Sequence, residues 1–380
     1  MLHPWDSQQF RRGAKDAGRP DQVIDRAIAT ARRIKRKNRD LPVIFSIFHL
    51  AHLTDIDVDS LLSVVDRTED HYRIFRVKKR SVPGRVAPSR RYRTICVPSP
   101  ALKRIQRWIA QNILNVTETH PASHAFAPES DLVEAANEHL RSSWIVKLDI
   151  INFFETVTER QVYYVFRSLG YAALLSFQLA RICTRTLKLT PKGRAGSEGR
   201  VPHERYIAGH LPQGAPTSPM LANLAVRQLD DELDNLAKRL GWKYTRYADD
   251  LTFSLEGKSS RGKAAELMSL ASQTLSRAGF TSNKLKAKII PPGARKVVLG
   301  VLVDTDRARL SKKFRNNLET HLYALTSHKI GVRSHMQNRG FDSVIGMRQH
   351  IEGLLAFAHH VDEKYAAGLY RQFNSIDWLA

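Results

Sequence analysis

Tyr244-Thr-Arg-Tyr-Ala-Asp-Asp-Leu-Thr-Phe-Ser254 reads as a strand, a tight turn and a second strand, with Asp249 and Asp250 at the turn. Adjacent like charges between apolar flanks are costly unless a cation neutralises them. Asp-Asp is a common pair, and taken alone it more often marks a pair of solvated turn aspartates. A second apolar run of strand length, Trp144-Ile-Val-Lys-Leu-Asp-Ile, carries another acid, Asp149, at its end. Three carboxylates brought together from two strands form a minimal cage for a pair of hard divalent ions. Magnesium suits such a cage because it prefers oxygen ligands and keeps room for substrate phosphates.

The segments around these acids have a mixed α and β character. Upstream, Tyr72-Arg-Ile-Phe-Arg-Val and Arg91-Tyr-Arg-Thr-Ile-Cys-Val read as two strands with cations on the exposed face. Leu102, Ile105, Ile109 and Ile113 then recur at helical spacing. A helix is expected after Thr158, and residues 185–210 read as a basic, glycine-bearing loop. Pro216 and Pro219 precede one long helix carrying Leu221, Leu224, Leu229, Leu233, Leu236 and Leu240. A helix over 262–278, strands over 285–290 and 296–303, and a helical region from about 306 complete the chain. Near the N-terminus, the run Arg32, Arg33, Lys35, Arg36, Lys37, Arg39 is expected just after a helix that begins near Asp21. Thr54 is a candidate cap for a short helix.

Composition narrows the function classes. Sixty Lys and Arg against 37 Asp and Glu, over 380 residues, leave a net charge of +23. Such an excess points to a polyanionic partner, nucleic acid first. A hydrophobic content of 42% argues against wholesale disorder. No apolar run is long enough to span a bilayer, and the first twenty residues lack the apolar core of a secretory signal, so no membrane partner is expected. Two cysteines, Cys96 and Cys183, make neither a disulfide framework nor a CxxC zinc site. A reducing, cytoplasmic location is expected.

Asp149, then Leu211-Pro-Gln-Gly-Ala-Pro-Thr-Ser-Pro, then Tyr247-Ala-Asp-Asp, then a lysine-bearing segment, resemble in order the motifs of the reverse transcriptase family. The resemblance covers roughly residues 70–305. It implies an RNA-directed DNA polymerase with a right-hand α+β fold, in which an antiparallel, RRM-like palm sheet is backed by helices. The expected organisation is a basic helical extension over 1–70 and fingers over 71–140. A palm over 141–305, with part of the fingers (160–210) inserted, and a helical RNA-binding thumb over 306–380 would complete it.

By the same resemblance, Asp149 and Asp249 are the main ligands of two Mg2+ ions, with Mn2+ as the alternative ion. Asp250 is the adjacent acid, and the carbonyl of Ile150 a further ligand. Backbone N–H groups near Asn152 and Phe153 would meet the triphosphate of a dNTP. Phe154 falls where the family has a steric gate against the 2′-hydroxyl, although a core aromatic is the plainer reading of that residue. Gln213 and Gly214 would line nucleotide and template, and Arg91 or Arg93 would grip the triphosphate. Lys286 fits the lysine that protonates the leaving pyrophosphate, with Lys284 and Lys288 as competitors. Leu299 and Gly300 fall at a turn similar to the primer-grip hairpin.

About 75 residues follow position 305, which leaves room for a thumb and not for a maturase, endonuclease or ribonuclease H domain. This compact plan, Leu102-Lys-Arg-Ile-Gln-Arg-Trp-Ile and Gly279-Phe-Thr-Ser-Asn-Lys-Leu-Lys resemble bacterial retron reverse transcriptases. Two signatures of that group are altered. Asn-Ala-x-x-His appears as Ala135-Ala-Asn-Glu-His139, and Val-Thr-Gly as Val298-Leu299-Gly300. His139 is expected to pack a helix rather than to catalyse. The resemblance implies a structured non-coding RNA of the msr–msd type, DNA synthesis begun from a guanosine 2′-hydroxyl, and a branched RNA–DNA product. It also implies an effector protein encoded nearby and a role in antiphage defence. A protein-primed or template-independent defence polymerase, or a non-catalytic RNA-binding scaffold, are the alternatives at this point.

Overall fold

The structure is a computed structural model that describes residues 5–78, 92–186, 209–327 and 329–378. Helices α1 (Ser7–Asp16), α2 (Asp21–Lys37), α3 (Ile47–Thr54) and α4 (Val58–Asp66) precede strands β1 (Tyr72–Lys78) and β2 (Tyr92–Pro98). Next come α5 (Pro100–Ile109), α6 (Leu132–Asn137), β3 (Trp144–Asp149), α7 (Phe153–Thr156), α8 (Glu159–Ser168), α9 (Ala173–Cys183), α10 (Ser218–Ala225) and α11 (Arg227–Arg239). The rest is β4 (Lys243–Tyr247), β5 (Asp250–Leu255), α12 (Arg261–Arg277), β6 (Lys288–Ile290), β7 (Val297–Val298), β8 (Val301–Leu302), β9 (Arg309–Leu310), α13 (Lys312–Thr326), α14 (Gly331–Arg339), α15 (Val344–Val361) and α16 (Glu363–Asn374). The chain divides into two compact units, one of residues 1–129, 150–232 and 274–282, the other of 130–149, 233–273 and 283–380. Among the described residues, no helix is long and apolar enough to cross a membrane.

In the second unit, β4, β5, β3 and β6 form an antiparallel sheet in that order. The pleat sorts its side chains. Trp144, Val146 and Leu148 of β3, Leu251 and Phe253 of β5 and Tyr244 of β4 share one buried, apolar face. Ile145, Lys147 and Asp149 share the other face with Asp250, Thr252 and Ser254 and with Thr245. His139 is fully buried on that second face. Its Nδ1 lies 2.7 Å from Ser254 Oγ and its Nε2 2.6 Å from Thr245 Oγ1, so it ties the chain after α6 to two strands. This is the packing role expected of it.

Ala136, Ile145, Val298, Val301 and Val303 form a small core, with Phe357 and Val361 of α15 packed against it. Helices α13 to α16 close around their own core of Leu318, Leu322, Met347, Ile351, Leu355, Leu369 and Phe373. Each such residue, fully buried, contributes about 1.5–3 kcal/mol. Ser311, Ser343 and Asp362 cap three of these helices by accepting from Phe314, Gly346 and Tyr365 amides.

In the first unit, β1 and β2 pair antiparallel from Tyr72 opposite Pro98 to Lys78 opposite Tyr92, with β1 largely exposed and β2 increasingly buried toward Pro98. Gln106 is buried beneath the ribbon and donates to Tyr72 Oη at 2.7 Å and to the Ile182 carbonyl at 2.8 Å. Arg67 and Glu159 form an ion pair that Thr184 shares, which joins α8 and α9 to the end of α4. Cys96 and Cys183 are buried and are not joined in a disulfide, and burial pushes the Cys183 thiol up to about 12.

Several expectations need correction. The cation run does not follow α2: Arg32 to Lys37 are its last turns, because the buried stripe Ile24, Ile28, Ala31, Ile34 continues the helix beneath them. Thr54 ends α3, its hydroxyl donating to the Leu50 carbonyl at 2.8 Å, while Ser46 and Asp57 are the caps. The long leucine helix is two helices broken at Val226, whose ψ of 10° leaves the helical range, and Pro219 lies within the first turn of α10. The strand expected over 285–290 begins only at Lys288, and the one over 296–303 is a hairpin, β7–β8. The stripe through Ile113 is preserved, but Ala110–Leu114 closes a π-helical turn by the bond from Asn115 N to Ala110 O. Most of the basic loop (187–208) and Arg91 lie outside the described residues.

Candidate active site

Asp149 ends β3 and Asp250 opens β5, and the two are direct cross-strand partners. Such partners have Cα atoms about 4.5–5.5 Å apart and project to one face. Asp250 also pairs with Tyr247 of β4, leaving Ala248 and Asp249 as a two-residue hairpin turn. Ala248 adopts φ 56°, a left-handed conformation that costs a non-glycine residue about 1–3 kcal/mol. The fully buried Arg246 donates from Nη1 to the Ala248 carbonyl at 3.2 Å, which braces the turn from the apolar side of the sheet.

The charges on this face are unbalanced at one point. The Asp250 carboxyl titrates above the usual carboxylate range, first because protein atoms displace its water, then because Asp249 and Asp149 repel its charge. Lys147 and Lys286 oppose that rise. Lys147 lies two residues before Asp149 on the same face, opposite Thr252 and Lys288. Burial lowers its pKa, Asp250 holds it up and Lys288 lowers it further.

Asp149 is buried and held from three sides. Asn283 donates its backbone N–H to the Asp149 carbonyl at 2.7 Å and its side-chain amide to Oδ1 at 3.1 Å. Lys286 donates its ammonium to Oδ2. Asn283 accepts the Lys286 and Ala287 amides on its carbonyl, and this turn aims the lysine. Of the three candidate lysines, Lys286 is therefore the one brought to Asp149, while Lys288 is carried along β6 beside Lys147. Among the described residues, no three His, Cys, Asp or Glu side chains already stand at metal-binding spacing. Asp149 is turned instead to Asn283 and Lys286. The donor set nevertheless suits a hard divalent cation: three carboxylates on one edge, with one carboxyl raised first by burial and then by its neighbours' charge.

The first unit holds the remaining candidates. Ile150 is buried and bridges to Ser282. Asn152, at φ 51° and ψ 48°, turns the chain into α7. That turn separates the two phenylalanines. Phe153 is buried and packs on Phe280 at a 6.1 Å centroid distance. Phe154 is only half-buried and leans on Phe126 at 5.9 Å. Gln213 accepts the Cys96 amide on its carbonyl at 2.8 Å, which docks the Pro212–Ala215 turn against β2. Gly214 sits at φ 113°, where a Cβ would come within 3.0 Å of the Cys96 carbonyl oxygen, so this contact requires glycine. Arg93 is exposed on β2 opposite Val77. Back in the second unit, Leu299 and Gly300 form the β7–β8 turn at φ 49° and 90°. Two positive φ values are the mark of the tight hairpin turn whose twist matches its strands.

Sequence reading overlooked Lys147, Asn283 and Arg246. A lysine alone inside an apolar strand was the available sign for Lys147, and Arg246 had a similar one beside the acidic turn. Asn283 had none, since its role depends on a partner 134 positions away.

Comparison with known proteins gives the family. The family model for reverse transcriptase (RNA-dependent DNA polymerase) matches residues 77–305. The chain is 28% identical over 331 residues to the retron Ec86 reverse transcriptase of Escherichia coli, covering 86% of this chain and 88% of that protein. It is 31% identical over 333 residues to the retron Mx65 reverse transcriptase of Myxococcus xanthus, covering 84% and 71%. Among solved structures it is similar to telomerase from Candida albicans, at 13% identity and a TM-score of 0.42, over 82% of this chain and 58% of that one. The chain therefore belongs to the reverse transcriptase family, in its retron-type branch, and is an RNA-directed DNA polymerase.

Proposed function

We propose that the chain copies a structured non-coding RNA of the msr–msd type into DNA, starting from an RNA 2′-hydroxyl, and so produces a branched RNA–DNA molecule. The observation that carries this reading is Asp149 facing Asp250 across one sheet edge, with Asp249 in the adjoining turn, in a chain of retron-type descent. In this reading residues 71–140 are fingers, 141–305 the palm with 160–210 inserted, and 306–380 the thumb. The product would act in the cytoplasm in antiphage defence, together with an effector protein.

The residues divide the work. Asp149 and Asp249, with Asp250 and the Ile150 carbonyl beside them, would hold two Mg2+ ions. Bound there, such ions activate the attacking oxygen and stabilise the leaving one. Lys286 is exposed beyond its contact with Asp149, so its side chain has room to turn and give a proton to the departing pyrophosphate. Phe154 would exclude ribonucleotides. Asn152, Phe153 and Arg93 would hold the triphosphate, and Gln213 and Gly214 would bound the nucleotide. Leu299 and Gly300 would steady the primer end. Lys147 would limit the repulsion at Asp250 between turnovers.

Sequencing the nucleic acid that copurifies with the chain tests the reading. A defined cDNA joined by a 2′–5′ bond to one RNA guanosine is expected, and its yield should vanish in Asp249→Asn. Random-sequence DNA attached to a tyrosine would overturn it.

A further inference from the structure

The first unit contains a cleft of about 1910 Å³ that none of the roles above uses. It is bounded by the C-terminal half of α2, the exposed side of α8 and the start of α11. Arg32, Arg36, Lys37 and Arg39 line it, all exposed and none with a carboxylate partner among the described residues. Arg227 faces them and donates to the Glu118 carbonyl at 3.1 Å. Three acids also line the cleft. Asp231 pairs with His120, Asp40 acts on Lys35, and Glu118 completes the set. Cations therefore predominate, and Arg32, Arg36, Lys37 and Arg39 have no carboxylate partner among the described residues.

A basic run on a helix is ordinarily a solvated face. Two observations argue for more here. The run forms the wall of a concavity rather than a convex surface, and the opposite wall presents Tyr164, 55% exposed on α8. The Arg160 guanidinium stands 5.8 Å from the centre of that ring. Asn38, Gln161 and Gln228 also line the cleft, with the Asn38 amide donating to the Val116 carbonyl and Gln161 closing the α8 capping box. A row of cations lining the same cleft as an exposed ring fits a nucleic-acid strand with phosphates on one side and unstacked bases on the other. A duplex keeps its bases stacked inside and would leave the ring without a partner.

We propose that this cleft is a second RNA site, which seats a single-stranded stretch of the RNA through phosphate contacts to α2 and base stacking on Tyr164. The inference rests on the RNA-copying reading for the identity of the ligand, but not on the carboxylate chemistry.

The test is equilibrium binding of a fluorescent, unstructured oligouridylate to the full chain across a salt series, without dNTPs. Replacing Arg32, Arg36 and Arg39 together by Gln should reduce the slope of log affinity against log salt by about 2, at about 0.7 per phosphate contact. Tyr164→Ala should weaken binding about tenfold, and Tyr164→Phe should retain it. Unchanged thermal unfolding of these surface variants excludes misfolding. An unaltered slope in the triple variant would overturn the proposal. So would a parent cleft that binds polyglutamate in preference to RNA, or a triple-variant loss that is equal on an RNA duplex with Tyr164→Ala silent. Asp249→Asn protein should bind with the parental slope while incorporating no dNTP, so the cleft and the carboxylate reading can fail separately.

Discussion

Lys286 donates its ammonium to Asp149 Oδ2 from a turn that begins at Asn283, and Asn283 itself holds the other oxygen of the same carboxylate. Two neighbours in sequence thus hold one acid that lies more than 130 positions upstream. The arrangement keeps a buried carboxylate compensated and keeps a proton donor within a side chain's swing of it.

For a general acid, loss of the donor costs about 10²–10⁴-fold in rate. Lys286→Ala is therefore expected to lower single-nucleotide incorporation about a hundredfold with little change in dNTP affinity. Lys284→Ala should be nearly silent, since Lys284 is exposed and makes no contact with Asp149 among the described residues. Equal rates for the two variants would remove Lys286 from the chemistry.

The crowding at Asp250 predicts a trade between stability and activity. Its carboxyl titrates above the unfolded value, so the folded state holds its proton more tightly. Stability from this group is present at low pH and is lost as pH rises through the folded pKa. At neutral pH the ionised carboxyl is less favoured in the folded chain than in the unfolded one. Asp250→Asn should raise the melting temperature at pH 7, with a gain that shrinks toward pH 4. The same substitution should lower dNTP incorporation at least tenfold. Asp149→Asn should lower activity further and bring no gain in stability, because Asp149 already has Asn283 and Lys286 as partners. Scanning calorimetry at several pH values separates the two.

Gly214 offers a test of close approach. Its φ of 113° and the 3.0 Å clearance to the Cys96 carbonyl oppose any Cβ. Gly214→Ala should cost about 1–3 kcal/mol and loosen the turn docked on β2. A raised KM for dNTP with a smaller change in kcat is the expected kinetic result.

The acidic hairpin was legible because every determinant of it is local: alternation in both strands, a two-residue turn and acids at the turn. The same is true of the β1–β2 ribbon and of the helix expected after Thr158, α8, which the Thr158 side chain caps. Features that depend on distant packing were not. Leu221 to Leu236 keep helical spacing across Val226, so periodicity gives no sign that the helix breaks there. The π-helical turn at Ala110–Leu114 leaves the apolar stripe through Ile113 in place. In α2 the basic run hid the helix's last turns, which continue over the buried stripe Ile24, Ile28, Ala31 and Ile34. Lys147 breaks the pattern of an apolar strand, and only the register that sets it near Asp250 makes it meaningful.

The helical bundle at the C-terminal end carries a pH dependence of its own. His321 and His335 are both buried, with Nδ1 of one 2.9 Å from Nε2 of the other, and His350 and Arg339 are close by. Burial first, then these positive neighbours, lowers the His321 pKa to about 4. The unfolded chain takes up its proton near pH 6.5, while the folded chain resists until about pH 4. Stability should be complete above pH 6.5 and should fall steadily between there and pH 4. His321→Gln should flatten that fall, as followed by thermal unfolding from pH 7.5 to pH 4.5. A parent and variant with parallel pH curves would show that the pair is not the source.

The two adjacent phenylalanines permit a test in which each is the other's control. Phe153 is in the core against Phe280, whereas Phe154 is half-buried and leans on Phe126, itself partly exposed. A ring that excludes a 2′-hydroxyl must present an edge to the nucleotide, and of the two only Phe154 has one to present. Phe154→Val should reduce the preference for dNTP over the matching ribonucleotide, measured as the ratio of kcat/KM values, by about 10–100-fold. Its melting temperature should change little. Phe153→Val removes buried ring volume and should cost about 2–4 kcal/mol, with the sugar preference retained. If instead Phe154→Val lowers stability as much as Phe153→Val and leaves the sugar preference intact, Phe154 is a core residue and the chain selects its sugar by other means.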